Sequence, residues 1–267
     1  MVSYAPPALF VAWRDPDSRR IFPVGRLVRT ISPLVGYEFV YVRGAHTAEQ
    51  HGFQPFIAFP ELNKVYRSRD LLPFFRNRIL SPSRPEYERH VEALALELEA
   101  EPMTLLALSG GRRATDLVEL FPDWIGVEGS TKTRFLLRGV QHVAGAEERI
   151  HRLLVGDILI GVPDLQNPVN PQAIKTRTED GAVIGFLPDY LAADVTGLLQ
   201  RNAELEIRVL RVNAPPMPRH HRVLCELSVN HANGFVGFRG DTFKPLSNEA
   251  TSIDDKATAS TAPTMAT

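Results

Sequence analysis

The chain is 267 residues long and nearly neutral, since 30 Lys and Arg residues against 31 Asp and Glu residues give a formal net charge of -1. This balance argues against a protein that coats DNA through overall basicity, although it leaves room for a local basic patch. A hydrophobic fraction of 44% is typical of a globular protein, and the single cysteine, Cys225, excludes an internal disulfide and a cysteine-rich zinc site.

The first half of the chain predicts a mixture of strands and about three helices. Apolar runs bounded by Ser, Pro and Gly predict paired strands at 22–29 and 37–42. Apolar residues at helical spacing predict helices, and these lie at 71–79, 85–98 and 101–109. This half is therefore expected to mix α and β structure.

Five motifs in this half follow one another: VGRL at 24–27, GYEFVY at 36–41, FIAFP at 56–60, LLPFFRNRIL at 71–80 and LLALSGG at 105–111. Their order resembles the small N-terminal subdomain of HipA-type toxin kinases, and the motif with the paired Phe and the Asn is the most specific. The resemblance covers residues 8–122 and implies a β-rich lobe that precedes a bacterial kinase core, or that acts as a separate antitoxin in split toxin systems. No kinase core follows residue 122 in this sequence.

Two segments are expected to lie outside the domains. Residues 123–133 contain Gly126 and Gly129 and are predicted to form an interdomain linker. Residues 246–267 are rich in Thr, Ala and Ser and nearly free of aromatic residues, so they are predicted to form a disordered tail.

The second half of the chain predicts several short strands and one helix. The apolar run 157–162 predicts a strand, and the two Asn-Pro pairs at 167–171 force a turn. An Asp-Gly pair within 173–186 predicts a tight hairpin, and the apolar spacing that follows Pro188 predicts a helix. Several short strands with one helix are typical of a closed barrel, so the fold class is expected to be α+β.

Four motifs follow one another in this half: GVQH at 139–142, GDIL at 156–159, NPVNPQAI at 167–174 and GFLP at 185–188. Their order and spacing resemble the HIRAN domain, a small β-barrel module that holds nucleic acid. The resemblance implies a small β-barrel of the SH3 or OB type with one helix at residues 134–240. In eukaryotic DNA-repair translocases the resemblance implies a pocket for a free single-stranded 3′ end. That pocket uses an aromatic and then an acidic residue after the Asn-Pro pair, and an Arg-Tyr pair in the opening strand. This chain carries Val169 and Asn170, and Gln141 and His142, at the matching positions.

The barrel is predicted to hold nucleic acid through cations on one face and flat side chains that stack on bases. Lys175 and Arg177 are two residues apart on a predicted strand and therefore share a face. The candidate nucleic-acid-binding residues are Gln141, His142, Asn167, Asn170, Lys175, Arg177 and Phe186. The alternative for the two asparagines is that they only make the local hydrogen bonds of a turn, and for His142 that it is a partly buried strand residue.

We expect no enzymatic activity, no metal and no cofactor. Adjacent His220 and His221 point in different directions on an extended chain, and Cys225 lacks a nearby base in sequence. No run approaches the roughly 18 apolar residues of a membrane span, and no signal-like start is seen, so a cytoplasmic protein is expected.

Two functional hypotheses remain. The first is a nucleic-acid-binding adaptor that holds single-stranded DNA or DNA ends, with RNA as an alternative ligand, in a bacterial toxin-type or defence system. The second is a protein-interaction subunit, antitoxin-like or regulatory, that docks on a kinase-like or helicase-like effector without binding DNA. The two combine in an adaptor that senses DNA and reports to a protein partner.

Overall fold

The computed structural model describes residues 4–31, 36–127, 129–167, 170–230 and 235–251. Within these residues the fold is α+β and rich in strands, as predicted. The strands are β1 Ala8–Arg14, β2 Ile21–Thr30, β3 Gly36–Tyr41, β4 Tyr66–Ser68, β5 Val118–Pro122, β6 Ile125–Val127, β7 Ser130–Leu136, β8 Ile158–Pro163, β9 Ile174–Arg177, β10 Val183–Phe186, β11 Leu205–Val212 and β12 Val223–Asn230. The helices are α1 Gly44–Glu49, α2 Pro73–Arg76, α3 Tyr87–Ala93, α4 Pro102–Ser109, α5 Ala146–Ile150 and α6 Asp189–Gln200.

The first sheet has the strand order β4-β3-β2-β1-β5, and each neighbouring pair is antiparallel. The predicted pair at 22–29 and 37–42 is the β2–β3 ladder, in which Leu27 lies opposite Phe39. Helix α2 is shorter than predicted and ends at Arg76, and α3 ends at Ala93. Helix α4 matches its prediction. Gly110 ends it in the left-handed conformation, with a φ of 75°. Helix α1 was not predicted.

The second sheet has the strand order β10-β9-β8-β11-β12-β7-β6, again with antiparallel neighbours. It is an open sheet in the part of the chain that the structure describes, so the predicted barrel is not confirmed. One isolated antiparallel bridge, between Arg138 and Phe186, joins the chain just after β7 to β10. A single bridge brings the two strands together at one point without forming a closing ladder.

The two sheets share a packed interface, because β1 is buried on both faces. Leu9 and Val11 of β1 lie in the core under α2, α3 and α4, whereas Phe10 and Ala12 lie in the core of the second sheet. Across this interface the ring of Phe121 from β5 stacks on Tyr190 of α6, with centroids 4.2 Å apart. The two halves of the chain therefore contact each other through apolar side chains.

The stretch predicted as a linker, residues 123–133, contains a β-hairpin instead. Strand β6 pairs with β7, and β7 pairs with β12 over its whole length, from Ser130 opposite Asn230 to Leu136 opposite Leu224. The glycines that suggested a linker serve the hairpin, since Gly129 has a φ of 75° at its turn. The other predicted domain boundaries stay predictions.

The start of the predicted disordered tail is bound to the first sheet. Thr251 donates from its backbone N to Glu38 Oε1 at 2.7 Å, and Arg67 Nη2 donates to the carbonyl of Glu249 at 2.8 Å. Leu246 packs against the first core. The rest of the predicted tail, residues 252–267, lies outside the described residues. Among the described helices, none has both the length and the apolar character needed to cross a bilayer.

Candidate nucleic-acid interface

The β9–β10 hairpin places the predicted cations as the sequence suggested. Ile174 and Thr176 of β9 are buried, whereas Lys175 and Arg177 are half-buried and point to the opposite face. The turn between the strands contains Asp180 and Gly181, and Gly181 has a φ of 83°. The Cα atoms of the two cationic residues are thus about 7 Å apart along one strand.

Phe186 lies directly opposite Lys175 across the β9–β10 ladder. Directly opposed residues of an antiparallel pair share a face, so the half-buried ring of Phe186 joins the two cations. We call the surface formed by Lys175, Arg177 and Phe186 the hairpin face. Ile160 of β8 lies opposite Arg177 and is exposed, so it adds an apolar margin that the sequence analysis did not identify.

Phe186 is fixed in place by the chain that follows β7. Its backbone N donates to the carbonyl of Arg138 at 2.9 Å, and Arg138 N donates back to Phe186 O at 2.9 Å. Gly139 comes next, with a φ of 64°, and a Cβ atom there would lie 2.8 Å from Cδ2 of Phe186. Only glycine fits both this backbone conformation and this approach of the ring.

Gln141 and His142 lie in a short 3-10 helix, Val140–His142, rather than in a strand, and both are exposed. Gln141 Nε2 lies 3.0 Å from His142 Nε2, so the two side chains share a hydrogen bond. The 3-10 helix packs against β10 and against a second 3-10 helix, Arg219–His221. The interpretation of His142 as a partly buried strand residue is therefore wrong.

The asparagine turn forms a hydrogen-bonded network beside the hairpin face. Asn170 N donates to Asn167 Oδ1 at 3.0 Å, and Asn167 Nδ2 donates to Asp164 Oδ2 at 3.3 Å. Asn170 Nδ2 donates to Asp189 Oδ1 at 3.0 Å, which ties the turn to the first turn of α6. Lys175 Nζ donates to Asp164 Oδ1 at 3.2 Å. Both asparagines thus make the local bonds of a turn, while Val169 lies outside the described residues.

Two features limit what the cations can contact. Lys175 is already paired with Asp164, so at most two of its three ammonium donors remain for a ligand. Arg177 Nε is buried without a hydrogen-bond partner in the described chain, so any contact with a ligand falls to its terminal nitrogens. An anionic strand on the hairpin face would therefore compete with Asp164 for the ammonium group of Lys175.

Two other clusters of titratable residues are weaker candidates for a binding site. A cavity of about 470 Å³ near the hairpin turn is lined by Arg149 and Arg152 but also by three carboxylates, so its charge disfavours phosphate. Burial lowers the pKa of His221 to about 3, and the ring is neutral beside His220. No group of three or more His, Cys, Asp or Glu residues in the described ranges is arranged to hold a metal ion.

Comparison with known proteins finds a family match within the second half of the chain. The family model of the HIRAN domain matches residues 131–231. The solved HIRAN domain of human HLTF is 18% identical, with a TM-score of 0.30 over 39% of this chain and 81% of that one. A solved protein from Lactobacillus plantarum is 16% identical, with a TM-score of 0.31 over 38% of this chain and 97% of that one. No curated protein matches.

The match begins in β7 and ends just after β12, and it encloses every candidate residue of the hairpin face and the asparagine turn. The HipA-like resemblance of residues 8–122 lies outside it and stays a prediction. Residues 131–231 thus carry a HIRAN domain, as their motifs predicted.

Proposed function

We propose that this chain is a non-catalytic adaptor whose HIRAN domain binds a single strand of nucleic acid, with single-stranded DNA or a DNA end as the first candidate. The observation that carries the proposal is the hairpin face, where Phe186 stands across from Lys175 and Arg177 follows on the same side. Aromatic rings that stack on bases, beside cations that follow the backbone, are the usual means of holding a single strand.

The asparagine turn supports contact with the end of a strand. The sequence has Asn170 where the related pocket carries an acidic residue, but the carboxylate of Asp189 accepts from Asn170 Nδ2 and stands beside it. Asp189 is exposed, and its Oδ2 has no hydrogen-bond donor in the described chain. That oxygen can accept a hydrogen bond from a terminal sugar hydroxyl, so Asp189 supplies the acidic group that position 170 lacks.

A second candidate function is a protein-interaction subunit that docks on a kinase-like or helicase-like effector. It is favoured by the internal pairing of Lys175 with Asp164 and of Asn170 with Asp189, which leaves the face less open to a strand. A toxin-type or defence setting rests on the HipA-like resemblance alone, and RNA is kept as an alternative ligand.

The test compares two matched pairs of substitutions in a fluorescence polarisation titration with single-stranded DNA. Lys175→Ala with Arg177→Ala removes the cations of the hairpin face. Lys132→Ala with Arg134→Ala is the control, because these residues have the same spacing on β7 and also pair with a carboxylate, Glu226.

Loss of two phosphate contacts lowers the salt slope by about 1.4, since each contact with a single strand contributes about 0.7. The affinity ratio between 50 and 200 mM salt then shrinks about sevenfold in the hairpin-face variant and stays unchanged in the control. Equal slopes in the wild type and both variants would remove the hairpin face from the account. Absence of binding by the wild type would move the account to the protein-interaction function.

A further inference from the structure

Three arginines converge on one buried carboxylate beside the hairpin face. Glu119 of β5 has a side chain only 7% exposed, and it pairs with Arg112 Nη2 through Oε2 and with Arg138 Nη2 through Oε1. Arg14 Nη2 lies 3.8 Å from Glu119 Oε2. The three guanidinium groups come from the end of β1, from the loop after α4 and from the chain after β7, so both halves of the protein contribute.

The cluster carries more positive charge than its carboxylate can balance. Three guanidinium groups against Glu119 leave a net charge of +2, and the cluster remains positive at +1 when Asp189, whose charge also acts on Arg14, is counted. Each guanidinium has five N–H donors, whereas a carboxylate offers about four lone-pair positions. The side chains of Arg14, Arg112 and Arg138 are 28%, 38% and 21% exposed, so part of each is accessible to a ligand from solvent. Glu119 thus holds the three forks close together. Arg14 Nη1 also donates to the carbonyl of Arg19 at 3.1 Å, but within the described chain most donors of the three guanidinium groups have no hydrogen-bond partner.

The cluster adjoins the proposed strand-binding surface. Arg138 forms the backbone bridge to Phe186, with both N–O distances at 2.9 Å. On the other side, Tyr190, which follows Asp189 in α6, stacks on Phe121 of β5, two residues after Glu119 in the chain. Burial lowers the pKa of Arg14, while the charges of Glu119 and then Asp189 act to raise it. The arginine cluster therefore adjoins both Phe186 and the end of α6 that carries Asp189.

We propose that Arg14, Arg112 and Arg138 form a phosphate-binding site that takes one backbone phosphate of the strand held on the hairpin face. Guanidinium groups pair with phosphate oxygens through two parallel N–H donors, and converging forks suit a tetrahedral anion. This inference rests on the proposed function, and it assigns the first half of the chain a direct part in binding, through Arg14 and Arg112.

The test couples a change in the protein to a change in the probe. The protein variant is Arg14→Gln with Arg112→Gln, and the control is Arg29→Gln, which pairs with Glu101 at the opposite end of the first sheet. The probe is a single-stranded oligonucleotide in which one phosphate at a time is replaced by an uncharged methylphosphonate. Affinities are measured by fluorescence polarisation.

We expect one methylphosphonate position to weaken binding of the wild type by about tenfold, the effect of losing a charge-assisted hydrogen bond. The double variant should bind the unmodified oligonucleotide about tenfold more weakly than the wild type, and the methylphosphonate should not weaken its binding further. In Arg29→Gln the methylphosphonate should weaken binding as much as in the wild type. If the double variant does not fold, judged by circular dichroism, the single variant Arg112→Gln replaces it, because Arg112 is the most exposed of the three.

Other outcomes overturn the inference in different ways. If the double variant binds like the wild type while Lys175→Ala with Arg177→Ala weakens binding, the cluster is not a phosphate site and the proposed function stands. If the wild type binds no nucleic acid, both fail together. If it binds only an oligoglutamate peptide, and the double variant loses that binding, the cluster serves an acidic protein partner instead.

Discussion

Replacing Gly139 by alanine tests how the hairpin face is held in place. The substitution has two costs that can be separated. A left-handed φ of 64° costs a residue with a side chain about 1 kcal/mol. The new Cβ would also lie 2.8 Å from the ring of Phe186, well inside contact distance, and overpacking of this kind costs about 1–3 kcal/mol. We therefore expect Gly139→Ala to lower the free energy of unfolding by about 2–4 kcal/mol.

Gly181→Ala is the matched control, since Gly181 has a φ of 83° but no atom within 4 Å of where a Cβ would stand. It should lose only about 1 kcal/mol. Urea denaturation followed by circular dichroism measures both values. Gly139→Ala should also weaken binding of single-stranded DNA, because Phe186 must move away from the Arg138 bridge. Equal stability losses in the two variants would refute the contact between position 139 and the Phe186 ring.

Three further predictions concern the rest of the chain. Arg78→Ala should cost about 3 kcal/mol in urea denaturation, because Arg78 is buried and bonds to Asp116 through both terminal nitrogens, whereas Arg76→Ala on the exposed side should cost under about 0.5 kcal/mol. Burial raises the pKa of Asp123 to about 6, so the folded state holds the proton more tightly and stability falls by about 2–3 kcal/mol as pH rises from about 4 to 7; Asp123→Asn should lack this fall. Burial also raises the pKa of the Cys225 thiol, so a thiol reagent at pH 8 should react with it only after urea is added.

Features set by local chemistry could be predicted from the sequence. The Asp-Gly pair at 180–181 determines the hairpin that puts Lys175 and Arg177 on one face, and Pro188 precedes α6 directly. The HIRAN motifs are also local features, since they lie in turns and short strands close together in the chain. These features depend on a few neighbouring residues, so a single sequence contains them.

Features that depend on residues far apart in the sequence could not be predicted. The sequence predicts a linker where the β6–β7 hairpin lies, because β12, the strand that pairs with β7, is far along the chain, from Val223 to Asn230. Helix α2 ends early, and Arg78 just beyond it turns inward to Asp116 rather than continuing the helix. The cluster around Glu119 draws on residues from both halves of the chain, and no spacing in the sequence brings them together.

One measurement tests the assignment of the hairpin face most directly. Fluorescence polarisation of the wild-type protein is recorded with single-stranded DNA that carries a free or a blocked 3′ end, beside duplex DNA and RNA, over a range of salt concentrations. The account predicts salt-sensitive binding of the single strand that weakens when the 3′ hydroxyl is blocked, because Asp189 Oδ2 then loses its donor. Binding that ignores the blocked end would contradict the role of Asp189, and no binding to any of these nucleic acids would contradict the central claim itself.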